Sequence, residues 1–138
     1  MGLLASGGIA IAGLVITIVG MTTVFVPQDL EYFGGTRSAI ASIRPHLLPL
    51  IAHDRAGFGG ALASFGVAMF ACLRYGRASR AVWQALAIVG IAGFTTALGT
   101  HPVIGYLSLT HLAPAVLGML VFAGGLVLAI SGTLFARP

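Results

Sequence analysis

Long apolar runs alternate along this chain with short polar interruptions, and the run lengths decide the first reading. From Leu3 to Val26 no side chain is ionisable. At about 1.5 Å per helical residue, that stretch is long enough to cross roughly 30 Å of hydrocarbon. It predicts a first spanning helix over 3–26, stopped by Pro27 because the residue before a proline is pushed out of the helical region. Residues 27–35, PQDLEYFGG, read as one polar turn or short helix closed by Gly34 and Gly35. In 36–48, Ile40, Ile43 and Leu47 fall at i, i+3 and i+7. That spacing predicts a short amphipathic segment lying in the interface without crossing it. A second span, over about 52–73, ends at the densest basic group, Arg74, Arg77 and Arg80. A third, over about 81–100, is halted by Pro102. A fourth, over about 112–135, carries Pro114 in its first turn, where proline is tolerated.

Composition turns these runs into a protein class. The chain has 138 residues, of which 58% are apolar and 7% charged, and its mean hydropathy is +1.04. Soluble domains have about 45–50% apolar and roughly 25% charged residues. The expectation is an all-α integral membrane four-helix bundle, one transmembrane domain over 1–138, with short connections and no soluble domain. The first span lacks the basic flank and small-residue cleavage site of a signal peptide, so it is read as retained. The sequence pI near 10.3 does not indicate nucleic acid. All seven basic residues are arginines scattered at loops, without a basic patch interleaved with aromatics. Cys72 is the single cysteine. It excludes an intramolecular disulfide or a CxxC metal knuckle and reads as a small core residue.

Arginine placement sets the expected orientation, because cytoplasmic loops are enriched in basic residues. Arg74, Arg77, Arg80 and Arg137 oppose Arg37, Arg44 and Arg55, and the first three lie within seven residues of one short loop. That loop and both termini are therefore expected in the cytoplasm of a bacterial cell, with the chain multi-pass in the inner membrane. Tyr75 and Trp83 then fall in the inner aromatic belt, Tyr32 and Tyr106 in the outer one.

Under this topology every acidic residue (Asp29, Glu31, Asp54) and every histidine (His46, His53, His101, His111) belongs to the outer face. Ionisable groups near hydrocarbon are costly, so their convergence is a site hypothesis. Three readings compete. In the structural one, Asp54 sits in the first turn of the second span, favoured there by the helix dipole, and Arg55 pairs with Asp29 or Glu31 to staple the outer loop. In the second, His53, His101 and His111, with Asp54 and Arg55, bind a cofactor. Paired imidazoles suit haem b, imidazoles with carboxylates suit copper or zinc, and His with Asp could take protons from a quinol that is oxidised to quinone. No HxxxH or HExxH pair sets two ligands on one helical face. His46, between Pro45 and Leu47, reads as a solvated loop residue.

In the third reading the outer loop docks another membrane subunit, with Asp29 and Glu31 as contacts. Ala56, Gly60, Ser64, Ala68 and Cys72 recur every four residues and form a small-residue groove, of the kind that lets helices approach closely in lipid. Glycines in the first and fourth spans point to tight packing without a wide pore. Other chemistry finds little footing. GFGG at 57–60 follows no strand, so it is not a dinucleotide fingerprint. Ser64 and Ser108 have no His–Asp partner pattern. No span carries the mid-membrane charge of an ion transporter.

The runs VFVPQDLEYFG (24–34), PLIAHDRAGFGGAL (49–62) and, more loosely, GIAGFTTALG through GYLSLTHLAPA (90–115) are similar to those of an uncharacterised family of small bacterial four-span membrane proteins. The resemblance covers about half the chain. It implies a bacterial origin and a signature of Asp29, Glu31, His53, Asp54, Arg55 and His111, but no activity. The expected role is a small, non-catalytic accessory subunit of a larger membrane complex, such as one of respiratory or photosynthetic electron transfer. The alternative is a redox protein that binds haem b, copper or quinol.

Overall fold

A computed structural model describes residues 2–77 and 79–133. Arg137 and the expected end of the fourth span at 135 lie outside them. The described chain is all-α, with helices α1 (Gly2–Met21), α2 (Pro27–Phe33), α3 (Arg37–Ile43), α4 (Leu47–Tyr75), α5 (Arg80–Ile104) and α6 (Leu109–Thr133). Four of them, α1, α4, α5 and α6, are long and apolar enough to cross a membrane. Only 17% of the spanning window is buried within the protein in α1 and in α4, and 6% in α5 and in α6. Apolar side chains left this exposed need lipid or protein around them, and the chain is a membrane protein.

The helices form two compact units, one of residues 8–67 and one of residues 1–7 with 68–138. In the first, α1 and α4 run antiparallel in close contact. The touching rows are Ala10, Gly13, Thr17 and Gly20 on α1 and Ala52, Ala56, Gly59, Ala63 and Gly66 on α4. A Cβ added at Gly59 would lie 2.5 Å from the Thr17 backbone nitrogen and 2.7 Å from the Gly13 carbonyl oxygen, so only glycine allows this approach. Thr17 adds hydrogen bonds from Oγ1 to the Gly13 carbonyl (3.0 Å) and, across the interface, to the Ala56 carbonyl (3.5 Å). Of the row at 56, 60, 64, 68 and 72, only Ala56 meets α1. Steps of four advance about 40° around a helix each time, whereas alternating steps of four and three keep facing one partner. Gly60 has open space beside it, and Ser64 and Cys72 are exposed. Cys72 is not a core residue.

Helix bounds also differ from the sequence expectation. α1 stops at Met21, five residues before Val26. Thr22 Oγ1 donates to the Ile18 carbonyl (2.7 Å) and the Val24 N–H to the Val19 carbonyl (2.8 Å), which ends the helix in a tight turn. Pro27 then starts α2 instead of stopping α1, as its preset φ favours a first helical position. α2 closes on Gly34, at φ 66°, whose left-handed conformation glycine adopts without steric cost. α3 is capped by Thr36 Oγ1, which accepts from the Ala39 N–H (3.2 Å). Ile40 of α3 packs with Val24 and Phe25 in a small core joined by Leu30, Leu47, Leu48 and Ile51, while Ile43 is exposed. α4 starts at Leu47, so Asp54 lies two turns inside it and not in its first turn.

In the second unit, α5 and α6 form a hairpin. Gly90 packs under the Phe122 ring, and Phe94 lies with its centroid 5.7 Å from that of Phe122. Trp83 Nε1 donates to the Leu126 carbonyl (2.9 Å), so its indole N–H is satisfied by α6 and not by the headgroup layer. α5 continues through Pro102 to Ile104, beyond the expected stop, and α6 starts at Leu109, so Pro114 falls in its second turn.

The contact row makes a paired test. Gly59→Ala should lower stability by about 1–3 kcal/mol, the usual cost of overpacking, whereas Gly60→Ala should be neutral. Both can be read from the loss of helicity as SDS is titrated into detergent micelles.

Candidate functional site

The charged residues singled out in the sequence separate into one buried knot and several exposed groups. At the α1–α2 turn Val24 takes φ 67°, a conformation that β-branched residues rarely adopt and that costs on the order of 1–3 kcal/mol. Its side chain is buried with Phe25 and Ile40. Its carbonyl accepts from Arg55 Nη1 at 2.7 Å. The same nitrogen donates to Asp29 Oδ2, also at 2.7 Å, and that oxygen further accepts from the Val26 N–H (3.0 Å) at the start of α2. The Asp29 side chain is 6% exposed and that of Arg55 24%. Of the two acidic partners expected for Arg55, Asp29 takes the role and Glu31 stays exposed.

Because α4 has 29 residues, at about 1.5 Å each it outreaches the hydrocarbon core. Roughly 20 residues, the length that crosses hydrocarbon, separate Arg55 from Arg74 in the last turn of α4, so a span with Arg74 at one surface would set the knot at the other hydrocarbon edge. There an unpaired charge is costly and a paired one tolerable.

His53 and Asp54 face outward on α4. His53 Nδ1 and Asp54 Oδ1 are 3.2 Å apart, but the two side chains are 84% and 73% exposed, and such a pair adds little to stability. His46 lies in the exposed turn before α4, as expected.

His101 and His111 come together in the α5–α6 hairpin. α5 ends in a Schellman turn: Gly105 takes φ 76°, its N–H donates to the Pro102 carbonyl (3.4 Å), and the Tyr106 N–H donates to the His101 carbonyl (2.9 Å). This turn sets Tyr106 against His101, with ring centroids 5.7 Å apart. Ser108 starts α6, its carbonyl accepting from the Leu112 N–H (3.0 Å) and its Oγ from the His111 N–H (3.4 Å). His111 thus faces the same pair, 5.4 Å from His101 and 4.6 Å from Tyr106, centroid to centroid. Tyr106 is buried, not in an aromatic belt. Nδ1 of His101 is also buried, with no protein group in hydrogen-bond reach.

The arrangement limits what could bind. A haem ligated by both imidazoles would need its macrocycle between rings that already touch, with Tyr106 against each of them. Among the described residues, no three His, Cys, Asp or Glu side chains gather into a metal-binding group. His53 belongs to the other unit, so the pair within the hairpin is His101 and His111. Two contributors escaped the sequence reading. Val24 gave no sign, since valine rarely takes positive φ. Tyr106 did give one, because the residue after a helix-ending glycine often packs back on the last turn. Comparison with protein-family models, curated proteins and solved structures finds no match for this chain.

Removing one partner from a buried ion pair typically costs about 3–5 kcal/mol. Arg55→Met should lose that much. Adding Asp29→Leu should restore only part of it, because the Val24 carbonyl stays unpaired. Glu31→Gln and Asp54→Asn should be silent in the same SDS titration.

Proposed function

We propose that this chain is a small, non-catalytic accessory subunit of a larger bacterial inner-membrane assembly of the respiratory or photosynthetic electron-transfer kind. The observation that carries this reading is the knot at Arg55. The most distinctive charges of the sequence, Asp29 and Arg55, face each other and a strained backbone carbonyl, so they serve the fold and leave little acid–base capacity for chemistry. The long, poorly self-covered helix faces support it as well, because a helical protein with much apolar surface has room for neighbours in the bilayer. The resemblance to small bacterial four-span proteins supports the bacterial inner membrane, and the arginines at 74, 77 and 80 support termini on the cytoplasmic side.

The test is extraction of the native membrane in a mild detergent. The chain should migrate within a larger assembly at a constant ratio to the same partner subunits, and should be colourless once separated from them. Migration alone, with a visible haem or flavin spectrum retained by the isolated chain, would count against the accessory role.

A further inference from the structure

We infer that His101 and His111 form a two-imidazole site for a divalent first-row transition-metal ion, zinc or copper, at the α5–α6 turn. The inference is independent of the accessory role, since such an ion can be held by a subunit or by a lone protein.

The first observation is the orphaned nitrogen. His101 Nδ1 is sealed from solvent without a protein partner, and leaving a buried polar atom unsatisfied costs on the order of 1–3 kcal/mol. Packing alone does not call for that cost, because a phenylalanine at 101 could meet Tyr106 and His111 without it. An imidazole nitrogen is, however, among the commonest metal ligands.

The second observation is the spacing. The ring centroids of His101 and His111 are 5.4 Å apart, tilted by 44°, close enough for one ion to reach a nitrogen of each ring at about 2.0–2.1 Å. Imidazole nitrogens suit zinc and copper better than they suit calcium or magnesium.

The third observation is local rigidity. Each histidine sits on a helix end fixed by its own cap, His101 by the Gly105 turn and His111 by Ser108, and Tyr106 fills the space against both rings. A site so supported needs little rearrangement on binding.

The experiment uses the full chain, purified in detergent and stripped of metal. Zinc binding is measured by competition with a chromophoric chelator, and the copper(II)-loaded protein is examined by electron paramagnetic resonance. One zinc ion per chain is expected. His101→Asn and His111→Asn should each weaken binding at least tenfold while helicity is kept, and His53→Ala should not change it. The copper(II) spectrum of the unaltered protein should show coupling to two nitrogens. Zinc affinity equal in all four proteins, an equal loss in His53→Ala, or copper coupled to fewer than two nitrogens would overturn the site. The copper spectrum needs no variant, so a poorly folding substitution leaves the test decisive.

Discussion

The Arg55 guanidinium donates to two oxygens of the α1–α2 junction. One belongs to the Asp29 carboxylate, which also accepts from the N–H of Val26, the N-cap of α2, and the other to the carbonyl of Val24 in its left-handed conformation. With these three connections, a sharp turn of β-branched residues becomes a stable junction between α1 and α2. The small core of Val24, Phe25 and Ile40 forms over the junction and draws in α3 and the first turns of α4. The local order is the reverse of a hydrophobic core decorated with charges. A polar contact fixes the backbone, and the apolar side chains pack where it leaves them.

Lipid gives little hydrophobic reason for two spans to associate, so shape has to do it. Along α1 and α4 that shape is made of absent side chains, with Gly13 and Gly59 facing each other's backbone. In the α5–α6 hairpin large rings have the same role, with Phe122 under Gly90 and Trp83 bonded to the Leu126 carbonyl. The first solution brings the helix axes close and admits only small residues. The second seats an aromatic ring over a glycine of the facing helix.

The number of spans, the arginine-rich turn and the short polar helix after the first span were legible because charge and run length are properties of the sequence itself. Arg55 was legible as an ion-pair partner of the α1–α2 loop for the same reason. What misled was punctuation. Prolines at 27, 102 and 114 looked like boundaries, but Pro27 opens a helix and the other two lie inside one, since the true ends are set by backbone caps such as Gly105. The α4 face that meets α1 runs through Gly59 and not Gly60, because spacing of four resembles a face until the partner's direction is known. The meeting of His101 with His111 could be expected only as a shared outer face. Their contact depends on the five-residue geometry from Gly105 to Leu109, which no periodicity encodes.

The separation of 26 positions between Asp29 and Arg55 bears on how the chain enters the bilayer. Asp29 precedes Arg55 in the chain and so is synthesised before α4 is complete. In the folded chain that arginine is paired with Asp29, and near hydrocarbon a lone guanidinium is costly. The order of the two residues along the chain thus places the counter-charge of the second span's arginine in the loop that is made before it.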